Sequence, residues 1–128
     1  MATGTFGTAI NCMDGRVQTP IADWVKMHFS VTWVDMITEA GADGVLAHGP
    51  AHLIESIHQR AHISVQAHGS GVIVVAGHDG CAGNPVSREQ HLADIRQAMR
   101  VVAGWGFPVR IVGLFVNEWG LIEEVPVA

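Results

Sequence analysis

Apolar residues recur along this chain with two different periods. Short runs rich in β-branched residues read as strands at about Phe6–Cys12, Thr32–Thr38, Gly71–Ala76 and Val109–Val116. The Gly71–Ala76 run is almost wholly β-branched and apolar on both faces, which suits a central parallel strand covered by helices. Between the runs the spacing becomes helical. A first helix is expected from Pro20 to about Phe29, with Thr19 as N-cap and proline at the first helical position. A glycine-rich turn (Gly41, Gly44, Gly49) then leads to a second helix from Pro50 to about Val65. Leu53, Ile54, Ile57 and Ala61 form its apolar face. A third helix opens on a capping box, Ser87-x-x-Gln90, and continues through Leu92, Ile95, Met99 and Val102 to Gly104. Leu121–Val125 is expected as an edge strand, a place that Pro126 suits.

Strands alternating with helices predict an α/β fold, a mainly parallel four-stranded sheet flanked by helices, with a possible fifth strand at an edge. Right-handed crossovers leave few topologies for it. Ligands of such sheets bind beyond the carboxyl ends of the strands, where the strand order reverses. Cys12 ends the first strand, and His78 and Cys81 stand just beyond the third. If those two strands are neighbours, these residues meet at the switch point.

Composition narrows the function. The 128 residues fit a single domain spanning 1–128, and 48% of them are hydrophobic, as an ordered globular chain requires. The net charge is −5 and Lys26 is the single lysine, so no basic stripe exists for nucleic acid. A small neutral or weakly charged substrate is easier to accommodate. The longest apolar runs, such as Val72–Ala76, are too short to cross a bilayer, which predicts no membrane partner. The amino end has no basic segment before Arg16, so no secretory leader is expected and the reading is cytoplasmic.

Two clusters carry the candidate chemistry. Cys12-Met13-Asp14-Gly15-Arg16 is a C-x-D-x-R pattern. Gly77-His78-Asp79-Gly80-Cys81-Ala82-Gly83 is an H-x-x-C pattern in a glycine-rich turn. By themselves the two cysteines read first as inert buried thiols and next as metal or catalytic residues, ahead of a disulfide across adjacent strands. Beside the histidine they make a good zinc site, and three protein ligands would leave the fourth position open, as in catalytic zinc. A carboxylate beside a guanidinium, as in Asp14 and Arg16, stays ionised and oriented; the plainer alternative is a structural ion pair at a turn. Asp79 reads as an exposed turn residue or a hydrogen-bond acceptor behind the metal. His58 and His62 stand one turn apart but lack a third ligand in sequence, so they read as solvated helix residues. His48, His52 and His68 are candidate proton shuttles. A cysteine phosphatase is excluded, since Cys81 and Arg88 stand too far apart and no histidine directly precedes Cys81.

Taken together, the two clusters make the chain resemble the β-carbonic anhydrases, in which C-x-D-x-R and H-x-x-C hold the catalytic zinc. Met36-Ile37-Thr38-Glu39-Ala40-Gly41-Ala42 also looks like that family's second-strand end, with Ala42 where asparagine usually completes A-G-N. The similarity runs from about Thr8 to Val116. It implies strand order 2-1-3-4 and a homodimer or higher homo-oligomer. It implies zinc on Cys12, His78 and Cys81. Asp14 is then either a fourth ligand at rest or the acceptor of the zinc-hydroxide proton, with Arg16 drawing it off the metal. The implied reaction is reversible hydration of carbon dioxide to bicarbonate by zinc-bound hydroxide. Hydrolysis of carbonyl sulfide or carbon disulfide on the same scaffold is an alternative, as is a non-catalytic zinc-binding or regulatory module. Because two thiolates weaken zinc as a Lewis acid, activity is expected to rise between about pH 7 and 9.

Overall fold

All of the β-branched runs become strands, and they share one sheet. The computed structural model describes residues 4–127. The leader reading falls partly on residues 1–3, which lie outside them. The strands are β1 (Phe6–Asn11), β2 (Trp33–Thr38), β3 (Val72–His78), β4 (Arg110–Val116) and β5 (Ile122–Val125), in spatial order β2-β1-β3-β4-β5. The first four are parallel, and β5 pairs antiparallel to β4 along the edge. This is the expected order 2-1-3-4 with the fifth strand added. β3 is buried at every position, as its unbroken apolar run required. The strand order reverses between the neighbours β1 and β3, so their carboxyl ends form the switch point.

Helices cover both faces. On one, α1 (Gly15–Phe29) packs over Ala9, Val74 and Leu114. On the other, α2 (Ala42–His48), α3 (Ala51–His68) and α4 (Arg88–Ala103) close over Ile10, Ile73, Val75 and Phe115.

Several local expectations are corrected. Helix α1 starts at Gly15, so Asp14 rather than Thr19 is its N-cap and Pro20 lies inside the helix. The earlier start lets Val17, Ile21 and Val25, each four residues from the next, bury one stripe on the sheet. Ile21 and Val25 belong to either helix, so the earlier start adds Val17, whose burial at about 1.5–3 kcal/mol offsets much of the cost of an interior proline. The glycine-rich turn contains a short helix, α2, which buries Ala42, Asp43 and Leu46. Gly41 enters it at φ +62°, in the left-handed region, and so makes the turn possible. Helix α3 runs on to His68, past Val65, and stops where Gly69 takes a left-handed conformation. Strand β3 likewise extends to His78, which is therefore a strand residue. Ser87 caps α4 as expected, accepting from the Gln90 amide at 3.1 Å. The other half of the capping box is not made, because the Gln90 side chain donates to Asp94 instead.

Candidate metal centre

Strand geometry brings the two sequence clusters together. Cys12 directly follows β1, His78 closes β3, and Cys81 sits three residues further on the turn. The neighbouring strands place all three donor atoms within 4.8 Å of one another, and all three residues are buried. The two sulfurs are 3.8 Å apart and unbonded. His78 Nδ1 donates to the Asp79 carbonyl at 2.8 Å, which in the neutral imidazole sets the tautomer and turns the Nε2 lone pair toward the cluster. That Nε2 is buried and has no hydrogen-bond partner among the described residues. A buried polar atom left alone costs about 1–3 kcal/mol, and a metal ion beside two thiols would satisfy it. The donor set of two sulfurs and one imidazole suits zinc. It is the Asp79 backbone, not its exposed side chain, that stands behind the imidazole.

Asp14 and Arg16 lie at the edge of this cluster. The Arg16 side chain donates from Nε at 3.0 Å to Asp14 Oδ1 and from Nη2 at 2.6 Å to Oδ2, and its amide donates to Oδ1. These hydrogen bonds, the guanidinium's first, hold the Asp14 carboxyl well below the usual carboxylate range. Asp14 Oδ2 also lies 4.0 Å from His78 Nε2. Arg16 Nη2 reaches the Gly80 carbonyl at 3.4 Å, so the pair spans from the first cluster to the second. Gln18, one turn into α1, donates to the Cys12 carbonyl and to Asn11 Oδ1. It was not legible as a site residue, because only the helix start at Gly15 turns it back toward β1.

A cleft of about 180 Å³ opens here, between Arg16, Val17, His78, Gly80, Val116 and Asn117. Among the described residues, His78 is the one histidine lining it. Of the candidate shuttles, His68 stacks on Phe6 with ring centres 4.1 Å apart, at the amino end of β1 and away from the cluster. His48 bonds Asp94 at 2.8 Å, in the layer of α2 and α4 on the opposite face from α1, and His52 is exposed on α3. His58 is not simply solvated: it stacks on Trp105, centroids 4.5 Å apart. His62 tilts against Phe107. The described residues hold no second group of three metal-binding side chains. No helix among them is long and apolar enough to cross a membrane.

Comparison with known proteins follows the same line. No match is found among curated proteins. Among solved structures, β-carbonic anhydrase isoform I of Trichomonas vaginalis superposes with a TM-score of 0.61 at 17% identity, covering 92% of this chain and 81% of that one. A tetrameric β-carbonic anhydrase of Sordaria macrospora gives 0.63 at 12% identity, covering 97% and 82%. The apo form of a carbon disulfide hydrolase gives 0.53 at 11% identity, covering 94% and 79%. The fold is thus that of the β-carbonic anhydrases. A family model described as "Putative carbonic anhydrase" matches residues 2–126, nearly the whole length, and the chain belongs to that carbonic anhydrase family.

Proposed function

We propose that this chain catalyses the reversible hydration of carbon dioxide to bicarbonate at a zinc ion held by Cys12, His78 and Cys81. One observation carries the reading: a buried imidazole nitrogen without a partner stands beside two unbonded thiols at the switch point of the sheet. Zinc held there would lower the pKa of bound water and so supply the nucleophile near neutrality. The chain's own residues then orient that chemistry. The Asp79 carbonyl fixes the tautomer of His78 and keeps its Nε2 free to bind. Arg16 holds both carboxylate oxygens of Asp14, drawing the side chain away from the ligand position. At 4.0 Å from His78 Nε2, Asp14 Oδ2 is placed to accept the nucleophile's proton in a hydrogen bond and to aim its lone pair at the substrate. The small cleft suits a linear three-atom substrate. The two free cysteines fit a reducing, cytoplasmic setting, and the assembly is a homodimer or a multiple of it.

Stopped-flow hydration of carbon dioxide, run beside sulfide release from carbonyl sulfide and carbon disulfide, tests the reading. Carbon dioxide is expected to react fastest. Dominant sulfide release would reassign the substrate to the sulfur analogues, one of which the structurally similar hydrolase acts on. A zinc-loaded protein inactive on all three would be a binding module, and a protein that takes up no zinc would refute the site itself.

A further inference from the structure

We propose that Asp43 and Asn84 are positioning residues that hold the turn carrying His78 and Cys81, with His91 orienting the Asp43 carboxylate. The proposal rests on the reading of that turn as zinc-binding. It starts from a cost. Asp43, Asp94 and His91 are each no more than 2% exposed, on the sheet face opposite α1. Burying carboxylates is expensive, and apolar residues would pack α2 against α4 equally well. Yet these groups converge on one piece of backbone.

Asp43 touches the ligand turn from both sides. A Cβ placed on Gly77, the residue before His78, would lie 2.4 Å from Asp43 Oδ2. The carboxylate is thus packed directly behind the strand end that presents the imidazole. On the outgoing side, Asn84 Nδ2 donates to Asp43 Oδ1 at 3.1 Å, three residues after Cys81. The same nitrogen donates to Asp94 Oδ2 at 3.0 Å. Both acceptors are carboxylate oxygens, so both amide hydrogens of Asn84 are committed and its orientation is determined. His91 Nδ1 donates to Asp43 Oδ2 at 2.7 Å and the Gly44 amide to Oδ1 at 2.9 Å. The Asp43 carboxylate therefore has no freedom to follow the turn if the turn moves. Close backbone packing seals the arrangement. A Cβ on Gly83 would lie 2.6 Å from the Ala40 carbonyl carbon and the Gly41 nitrogen. One on Gly44 would lie 2.7 Å from the Asn84 amide carbon.

Two metal ligands three residues apart tolerate little error in the backbone that joins them. Outer hydrogen-bond partners of metal ligands typically govern affinity by ten- to a hundredfold. The test compares Asn84→Ala, Asp43→Asn and Gln90→Ala in the intact protein. Gln90 bonds Asp94 but not the turn, so its removal perturbs the network without releasing the ligands. Zinc affinity is read by competition with a chromophoric chelator, the ligand geometry by the visible spectrum of the Co²⁺-substituted protein, and folding by thermal denaturation. Asn84→Ala and Asp43→Asn should each weaken zinc about tenfold or more and alter the Co²⁺ bands. Gln90→Ala should lower Tm and leave both unchanged. Should Asp43→Asn fail to fold, Asn84→Ala, at a half-buried position, decides alone. Wild-type affinity and an unchanged Co²⁺ spectrum in Asn84→Ala, whatever its Tm, would overturn the proposal. Failure of the wild-type protein to bind zinc would instead strike the reading of the site.

Discussion

Asp14 serves two structures at once, and this makes it a clean residue to perturb. Its carboxylate caps α1 and also faces the His78 imidazole from 4.0 Å. Asparagine caps helices as well as aspartate does, so Asp14→Asn should keep the helix start and the zinc while removing the proposed proton acceptor. Carbon dioxide hydration should fall by about a hundredfold or more, with metal content unchanged. The pH dependence separates this role from titration. Hydrogen bonds from Arg16 depress the Asp14 carboxyl, so the group stays ionised through the ordinary carboxylate range and protonates only as pH falls well below it. It cannot supply a limb between pH 6 and 9. A rate that rises between about pH 7 and 9 is expected from water on a zinc carrying two thiolates, and the midpoint should survive in Asp14→Asn. A flat profile over that range would remove such water as the nucleophile, and a fully active Asp14→Asn would remove Asp14 from the mechanism. The proposed ligands answer to a simpler measurement. Cys12→Ser and Cys81→Ser should each purify with little zinc, whereas His58→Ala combined with His62→Ala should retain it by elemental analysis.

At the scale of elements, what could be read from the sequence depended on how local the cause was. The strands were legible because β-branched runs signal them within a few residues, and the cluster of Cys12, His78 and Cys81 because each of its two segments stands at a strand's end. Helix α2 was hidden: its flanking glycines suggest a turn, and burial of Leu46 by distant residues is what makes it helical. The start of α1 was misplaced because Pro20 is the stronger local signal, whereas the stripe from Val17 to Val25 is rewarded only by the sheet. The bracing residues were invisible for the same reason, since His91 and Asp43 are 48 positions apart and Asn84 and Asp43 are 41. Gly41 tests how tightly these elements meet. Its φ of +62° costs an alanine about 1–2 kcal/mol, and the new Cβ would fall 2.5 Å from the Gly83 carbonyl. Gly41→Ala should therefore destabilise the fold by about 2 kcal/mol or more in urea unfolding. Loss of the Ser87 cap in Ser87→Ala should cost only about 1 kcal/mol.

At the scale of the whole molecule, four of the eight exposed large apolar side chains among the described residues follow the carboxyl ends of parallel strands. Met13 follows β1, Val86 lies in the segment after β3, and Trp119 and Leu121 lie in the turn after β4. All four leave the carboxyl ends of parallel strands, the end that carries the Cys12, His78 and Cys81 cluster. Trp119 is 75% exposed and Leu121 62%, though each would gain about 1.5–3 kcal/mol from burial. Joined into one patch, such side chains would offer a surface for association. The sheet adds a second invitation, because among the described residues β2 pairs only with β1 and so presents an open edge. The similar Sordaria enzyme is tetrameric, which agrees with association but does not say which surface is used. A dimer, or a multiple of it, is expected by sedimentation at micromolar concentration. If the carboxyl end forms the contact, Trp119→Glu combined with Leu121→Glu should shift the protein to monomer while its circular dichroism stays native. Activity should fall with the loss of association if the partner helps to enclose the cleft. A wild-type monomer at full activity would contradict both steps. A double variant that remains dimeric would move the interface to the β2 edge and leave the exposed tryptophan to another purpose.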